Sequence, residues 1–585
     1  MDAIQSYLPP HLIPQEASLD DLLVKTFLSH ALSLVFLDLS TLCLIKIRLK
    51  LCGGDEKITN KPETLSKMLF LYPCIKPRTI WSNDPFGYSN SVPYLFKKSG
   101  VQRHVINRIH HTIKSNLQHQ QAIPFKWRQF FDTTGENDVL TQVLPYTHYD
   151  VLNSCGSNPS VCCEFDFKRI THWACPGPRP VGIDENNVKE KAGKLVSELE
   201  HMAEMYKAPV ILMMHGDDFR FDMIEEWHQQ HDNFLPLFDE INKGDQVEIG
   251  FGTFNDYFTE LEKWNKENPS EAPPTLSGDF FPYMCALGDY WTGYYTTRPF
   301  FKRQGRLLHS LIRNADLMLS MRRSTLKRRK IDESLPILES ARRNLSLFQH
   351  HDAITGTSKV SVMDDYSELL HQSIMDTKSV LEELADGELD LYPRIHDGVE
   401  MQTILNFEKN SRAREIKIFN SQLFTITDIF EIRVNVGDGG GADELLLSIG
   451  GKAIQAQIEP YFIKGKVEKD SRLDITSNFE WLKVSGPLRE TIYQSTDTVF
   501  QRTSVKNVPG PAGEQIDIAL SIDISKDRNT ELMTRFSTKW PSDKLRSYTD
   551  SVGLQLLRRE FYNLPVEKNY YPMPTAAVIE TEKQR

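Results

Sequence analysis

The stretch NVKEKAGKLVSELEHMAEMYKAPVILMM, Asn187–Met214, decides the fold class. From Asn187 to Tyr206 the apolar residues Val188, Ala192, Leu195, Val196, Leu199 and Met202 recur close to a helical period, which lays them along one face of an amphipathic helix. Pro209 stops that helix, because proline lacks the N–H and crowds the preceding turn. Val210–Met214 is then apolar without interruption and reads as a fully buried strand. A helix that feeds a buried strand is the repeating unit of an α/β sheet. Short apolar runs alternate with longer amphipathic ones from Ile80 to about Gly293, so a largely parallel α/β domain is expected there.

Working outward, Lys302 to about Gly387 holds three long amphipathic segments, which predicts a helical bundle. The basic run Arg322–Lys330 within it reads as a solvated helix face or loop. Beyond Tyr392 the period changes to two. Glu415–Phe419, Phe430–Val436 and Ile454–Ile458 alternate as strands do, Gly437–Gly441 reads as a hairpin or loop, and β-sandwich material is expected after about residue 400. A chain of 585 residues fits two to four domains. With 68 Lys and Arg against 79 Asp and Glu the net charge is −11, which disfavours nucleic acid as a main partner and suits a neutral or weakly charged ligand.

Four of the eight cysteines, Cys155, Cys162, Cys163 and Cys175, crowd one loop-like stretch. A metal knuckle there would want a Cys-x-x-Cys pair, which is lacking, and adjacent cysteines pair poorly with each other. The spacing favours two disulfides, Cys155 with Cys162 and Cys163 with Cys175, and with them an oxidising, secretory compartment. Cys43, Cys52, Cys74 and Cys285 carry no pairing logic. Thr26–Ile45 is Leu-rich and long enough for a membrane span, but the flanking Asp20, Asp21, Lys46, Arg48 and Lys50 would orient it against a luminal enzyme, so a membrane anchor stays open. No cleavable signal peptide is evident at Met1.

Three segments carry chemistry. Trp81-Ser82-Asn83-Asp84-Pro85-Phe86-Gly87-Tyr88-Ser89 puts a carboxylate where Pro and Gly end a strand, and His215-Gly216-Asp217-Asp218-Phe219-Arg220 sets two carboxylates after the apolar run. Gln349-His350-His351-Asp352 packs two imidazoles and a carboxylate beside a turn. Each has a bland reading. Asp84 alone is a turn-former, Asp217 and Asp218 are also suited to a helix N-cap, and a lone histidine is usually structural. Retaining glycoside hydrolysis, however, needs two carboxyl groups about 5 Å apart, and adjacent carboxylates raise one another's pKa as a general acid requires. If His350 and His351 end a helix, they differ by about 100° in direction, so one would be the ligand and the other would orient it. The sequon Asn344-Leu345-Ser346 lies so close that it is expected to be unused.

Taken together these segments resemble the signatures of glycoside hydrolase family 38, the zinc-dependent retaining α-mannosidases. The resemblance covers residues 76 to 393 strongly and the rest in patches. It implies Asp84 as nucleophile and Zn2+ ligand, Asp218 as acid/base and His351 as a second Zn2+ ligand. It also implies that Phe86, Arg108, Tyr149, Trp291 and Asp352 contact the mannoside. Cys155-Gly156 through Arg169 is similar to the Golgi branch, which implies N-glycan trimming in the Golgi lumen. The domains implied are an atypical Leu-rich segment (1–75), a partial α/β catalytic domain (76–294), a helical bundle carrying the His-His-Asp site (295–400) and a truncated β-sandwich region (401–585).

The departures matter equally. Members of the family open their catalytic domain with a His-x-Asp segment that supplies two more Zn2+ ligands, and Thr26–Pro73 does not contain it. His148-Tyr149-Asp150 and His215-Gly216-Asp217 share its spacing. On this reading the α/β domain is an incomplete, barrel-like parallel sheet of low stability, and the chain is weakly active or inactive. The alternative is a catalytically impaired glycan-binding relative lacking a complete zinc site.

Overall fold

The computed structural model describes residues 78–581 except 172–174, 386–393, 397–398, 402–404, 408–412, 433, 437–445, 461, 464–465, 468–480, 527, 538 and 541–544. Thr26–Ile45, Cys43, Cys52, Cys74 and Gly437–Gly441 therefore lie outside the described residues. Contacts divide the chain into two compact units, residues 1–309, 339–374 and 539–585 in one, 310–338 and 375–538 in the other.

The first unit is built on a five-stranded sheet of β1 (Thr79–Ser82), β2 (Arg103–Ile106), β3 (Phe125–Arg128), β4 (Val139–Val143) and β5 (Thr275–Ser277), in the order β1-β2-β4-β3-β5. Three of its pairings are parallel and only β3 with β4 runs antiparallel, so the sheet is largely parallel as the alternating pattern required. Every residue of β2 is buried, the mark of a strand covered on both faces. Helices α1 (Ser91–Lys98), α2 (His111–His119), α3 (Val188–Ala203), α4 (Ile224–Ile241) and α5 (Phe254–Glu267) follow among the strands. Helix α3 buries Ala192, Leu195, Leu199 and Met202, the face its period assigned.

Val210–Met214 departs from expectation. It forms no strand and is only half-buried. Its side chains nonetheless alternate: Ile211 and Met213 pack on one hydrophobic cluster, Val210, Leu212 and Met214 on another. The segment is an apolar chain wedged between two layers without ladder partners, so the apolar pattern was satisfied by packing and not by a sheet. Both expected disulfides are closed, Cys155–Cys162 with a Cα–Cα distance of 5.5 Å and Cys163–Cys175 with 6.1 Å. A three-stranded antiparallel sheet of Arg546–Ser551, Gln555–Arg559 and Ala577–Glu580 belongs to this unit too.

Three long helices occupy the region where a bundle was expected, α6 (Pro299–Arg322), α7 (Arg328–Leu347) and α8 (Val360–Ala385). Gly305 on α6 permits a close approach: a Cβ there would sit 3.0 Å from the Phe348 ring. The basic run between α6 and α7 is mostly exposed, and Arg328 and Arg329 pair with Asp332 and Glu333 one turn on. The second unit carries a four-stranded antiparallel sheet of Trp481–Ser485, Arg489–Ser495, Val499–Lys506 and Ile516–Ile522. Glu415–Phe419 and Ile454–Ile458, expected as strands, have none assigned, and Ile416 and Ile418 are 45% and 57% exposed. Alternation becomes a strand only where a neighbour supplies the ladder and a second layer covers the apolar face. Among the described residues no helix is long and apolar enough to cross a membrane.

Candidate active site

The site grows from the ends of β1 and β2. Asp84 lies two residues past β1, where Pro85 interrupts the backbone donors and Gly87 turns the chain with φ +95°. No side chain fits at that glycine, since a Cβ would meet Phe281 and the Phe280 carbonyl within 2.7 Å. Arg108 lies two residues past β2. Its Nε and Nη2 both donate to Asp84 Oδ1, and its Nη1 donates to the Tyr283 hydroxyl at 3.3 Å. Burial opposes the Arg108 charge, but the Asp84 carboxylate and the Tyr283 hydroxyl together outweigh it and raise the guanidinium pKa further. The two strand ends are tied by Tyr88, whose hydroxyl donates to the Ser82 carbonyl at 2.6 Å and accepts from the Asn107 and Arg108 amides at 3.0 and 3.3 Å.

His351 reaches Asp84 from beyond α7, with Nε2 3.1 Å from Oδ2, the carboxylate oxygen that Arg108 leaves open. The two histidines do not end a helix. Helix α7 stops at Leu347, and Gln349–Thr355 winds through turns closed by Gly356 at φ +78°. The angular argument that only one imidazole could face a metal therefore fails: the rings lie 4.2 Å apart between centroids, and His350, His351 and Asp352 each offer a ligand atom within 4.8 Å of the others. The His350 imidazole, against an opposing cost of burial, holds the Asp352 carboxyl down to about 2.

Aromatic side chains wall this carboxylate–imidazole pair. Phe86 meets Trp291 edge-on at 5.0 Å and His351 at 6.3 Å, and the Tyr294 hydroxyl donates to the Phe86 carbonyl at 2.6 Å. Arg108 lies over the Trp291, Tyr283, Phe86 and Tyr149 rings at 5.1 to 5.9 Å. Tyr149 is buried, and its hydroxyl donates to Asp218 Oδ1 at 3.0 Å. Burial first, then the charges of Asp84 and Asp218, keep that phenol protonated.

Asp218 is exposed on the loop after Met214, between the half-buried Asp217 and Phe219 at φ +55°. The loop is pinned at Arg220, which donates to Asp166 and to Glu226 Oε1, and Glu226 Oε2 in turn accepts from the Phe221 amide at 2.7 Å. Burial raises the Asp217 carboxyl pKa.

The structure thus links all eight motif residues, Asp84, Phe86, Arg108, Tyr149, Asp218, Trp291, His351 and Asp352, through direct contacts. Sequence reasoning missed Tyr283 and the structural task of Tyr88. Only the Arg108 partnership marks Tyr283, and no sequence spacing signals it. The two His-x-Asp stretches have other work: His148 Nδ1 accepts from the Asp150 amide at 3.1 Å, and His215 is hydrogen-bonded to Gln230 at 3.0 Å. The amide nitrogen of Asn344 in the sequon donates to Ser373 Oγ at 2.9 Å.

Residues 73–286 match the family described as glycosyl hydrolases family 38 N-terminal domain, and residues 289–386 match the alpha mannosidase middle domain. The chain carries the N-terminal and middle domains of the family 38 α-mannosidases. Among relatives, "Alpha-mannosidase 2" of Drosophila melanogaster is 40% identical over 53% of this chain and 28% of its own length. "Alpha-mannosidase 2" of Mus musculus is 39% identical over 52% and 28%. "Alpha-mannosidase 2x" of Mus musculus is 28% identical over 87% and 57%. The chain spans between 28% and 57% of the length of these relatives.

Proposed function

We propose that the protein is a retaining α-mannosidase that trims α-linked mannose from N-glycans in the secretory pathway, in the Golgi lumen, with the α/β region as its barrel-like catalytic domain. The observation that carries this reading is the convergence of Asp84, Arg108 and His351, with Tyr149 connecting them to Asp218. The two disulfides support the compartment.

In this mechanism an Asp84 carboxylate oxygen bonds to the anomeric carbon as the bond to the departing glycan oxygen breaks, and Asp218 protonates that oxygen. Water then attacks the anomeric carbon, releases Asp84 and returns a proton to Asp218. Arg108 fixes one Asp84 oxygen and so directs the other, while Tyr149 orients Asp218 by its hydrogen bond. Phe86 and Trp291 offer apolar ring surface to the sugar. Imidazole nitrogen and carboxylate oxygen are the donors Zn2+ takes, so Asp84 and His351 fit as ligands. When bound, the ion would grip adjacent mannose hydroxyls and so orient the sugar against Asp84.

The test is hydrolysis of an aryl α-mannoside by the purified chain and by D84N, D218N and D217N. D84N and D218N should each lose at least a thousandfold in kcat, D217N far less, and a chelator should suppress the wild-type rate. Full activity in D84N would remove the assignment.

A further inference from the structure

We propose that the metal of this site is held by three consecutive residues, His350, His351 and Asp352, all supplied by one turn. This rests on the reading of the site as metal-dependent, but it assigns ligands that the resemblance does not. Among the described residues this is the one group of three or more His, Cys, Asp or Glu side chains able to hold an ion.

The geometry is specific. Asp352 Oδ2 lies 3.6 Å from His350 Nε2 and 3.9 Å from His351 Nε2. Donors bonded to one ion at about 2.1 Å stand about 3.4 Å apart in a tetrahedron, so small side-chain rotations bring the three onto a common centre. The donors are also oriented. Thr357 Oγ1 donates to Asp352 Oδ1 at 2.8 Å, which turns Oδ2 toward the imidazoles, and the Thr357 and Ser358 amides fix the Asp352 carbonyl at 3.1 and 3.0 Å. Such outer hydrogen bonds are what holds a carboxylate ligand in place. Asp84 Oδ2 abuts the same His351 nitrogen at 3.1 Å and supplies a neighbouring carboxylate for a fourth position, beyond which the ion would expand its coordination to take a sugar hydroxyl.

The experiment is titration of the full-length, metal-stripped chain with Zn2+ by calorimetry, and with Co2+ by its visible absorption, in wild type, H350A, D352N and H351A. We expect one ion per chain, and at least a tenfold weaker affinity in H350A and in D352N as well as in H351A, with a changed Co2+ spectrum in each. H350N serves as a second variant should H350A fold poorly. Wild-type affinity and spectrum in both the His350 and Asp352 variants would overturn the proposal, as would no uptake by wild type. Binding as expected without mannoside turnover would instead sink the proposed function and leave this site standing.

Discussion

Tyr88 holds the nucleophile candidate in place without approaching a sugar itself. Its buried hydroxyl closes three backbone hydrogen bonds that tie the β1 and β2 ends bearing Asp84 and Arg108. Tyr88→Phe leaves a carbonyl and two amides short of a partner, at about 1–3 kcal/mol for each group that stays unsatisfied. The expected outcome is a loss of about 3 kcal/mol in unfolding free energy together with a fall in kcat for an aryl mannoside of at least tenfold. Urea unfolding and kinetics check both, and an unchanged kcat would release Tyr88 from its positioning role. His104 on β2 makes the opposite case. Both ring nitrogens are buried without partners among the Tyr88, Phe96 and Trp127 rings, and burial lowers its pKa to about 3. Between pH 6.5 and 3 the unfolded chain binds a proton that the folded chain refuses, so stability falls as pH falls. From pH 7 to 5 this one histidine should cost about 2 kcal/mol. His104→Phe should be at least as stable at pH 7 and lose correspondingly less on going to pH 5, as read by urea unfolding at the two values. At this scale the motif residues were legible because short contiguous segments carry them. Tyr283 was not, because its part is to meet Arg108 from 175 positions away.

Elements were legible where local pattern and tertiary packing agree. Helix α3 buries the face its period predicted, and the cysteine spacing led to the two disulfides. Val210–Met214 and Glu415–Phe419 were misread because an apolar run or a period of two states only which side chains seek cover. Whether a ladder forms depends on neighbours that such a run does not encode. His350 and His351 lie just beyond the end of α7 instead of on it, because helix ends are hard to place from local pattern alone. The disulfides give the prediction at this scale. Replacing Cys163 and Cys175 by serine reopens a loop with a sequence separation of 12, worth about 3 kcal/mol in the chain-entropy account. Thermal unfolding of the double variant should show that loss, and a non-reducing peptide map of wild type should recover the Cys155–Cys162 and Cys163–Cys175 pairs. Four free thiols there would reject the pairing and with it the secretory assignment.

On the scale of the whole molecule, residues far apart in sequence brace the site together. The sheet formed by Arg546–Ser551, Gln555–Arg559 and Ala577–Glu580 returns to the unit that contains β1–β5: Ser91 Oγ donates to the Ser551 carbonyl at 3.2 Å and Gln555 Nε2 to Gln129 Oε1 at 2.7 Å. The strongest tie is Arg559, 7% exposed, which donates from both terminal nitrogens to the two oxygens of Asp279 at 2.9 and 2.7 Å, with the Tyr571 ring 4.8 Å away. Asp279 begins the segment whose Phe280 amide donates to the Tyr88 carbonyl at 2.9 Å and whose Tyr283 meets Arg108, so the clamp leads into the site. No sequence pattern announces a contact across 280 positions. Removing one member of a buried pair strands the other charge and costs about 3–5 kcal/mol, whereas replacing both by apolar side chains is often close to neutral. Arg559→Met alone should therefore lower unfolding free energy by about 4 kcal/mol and reduce kcat. The double variant Asp279→Leu, Arg559→Met should recover most of the stability while kcat stays low, because the bidentate geometry that directs the Asp279–Tyr283 segment is lost along with the charges. Recovery of kcat in step with stability would mean that the clamp serves folding alone.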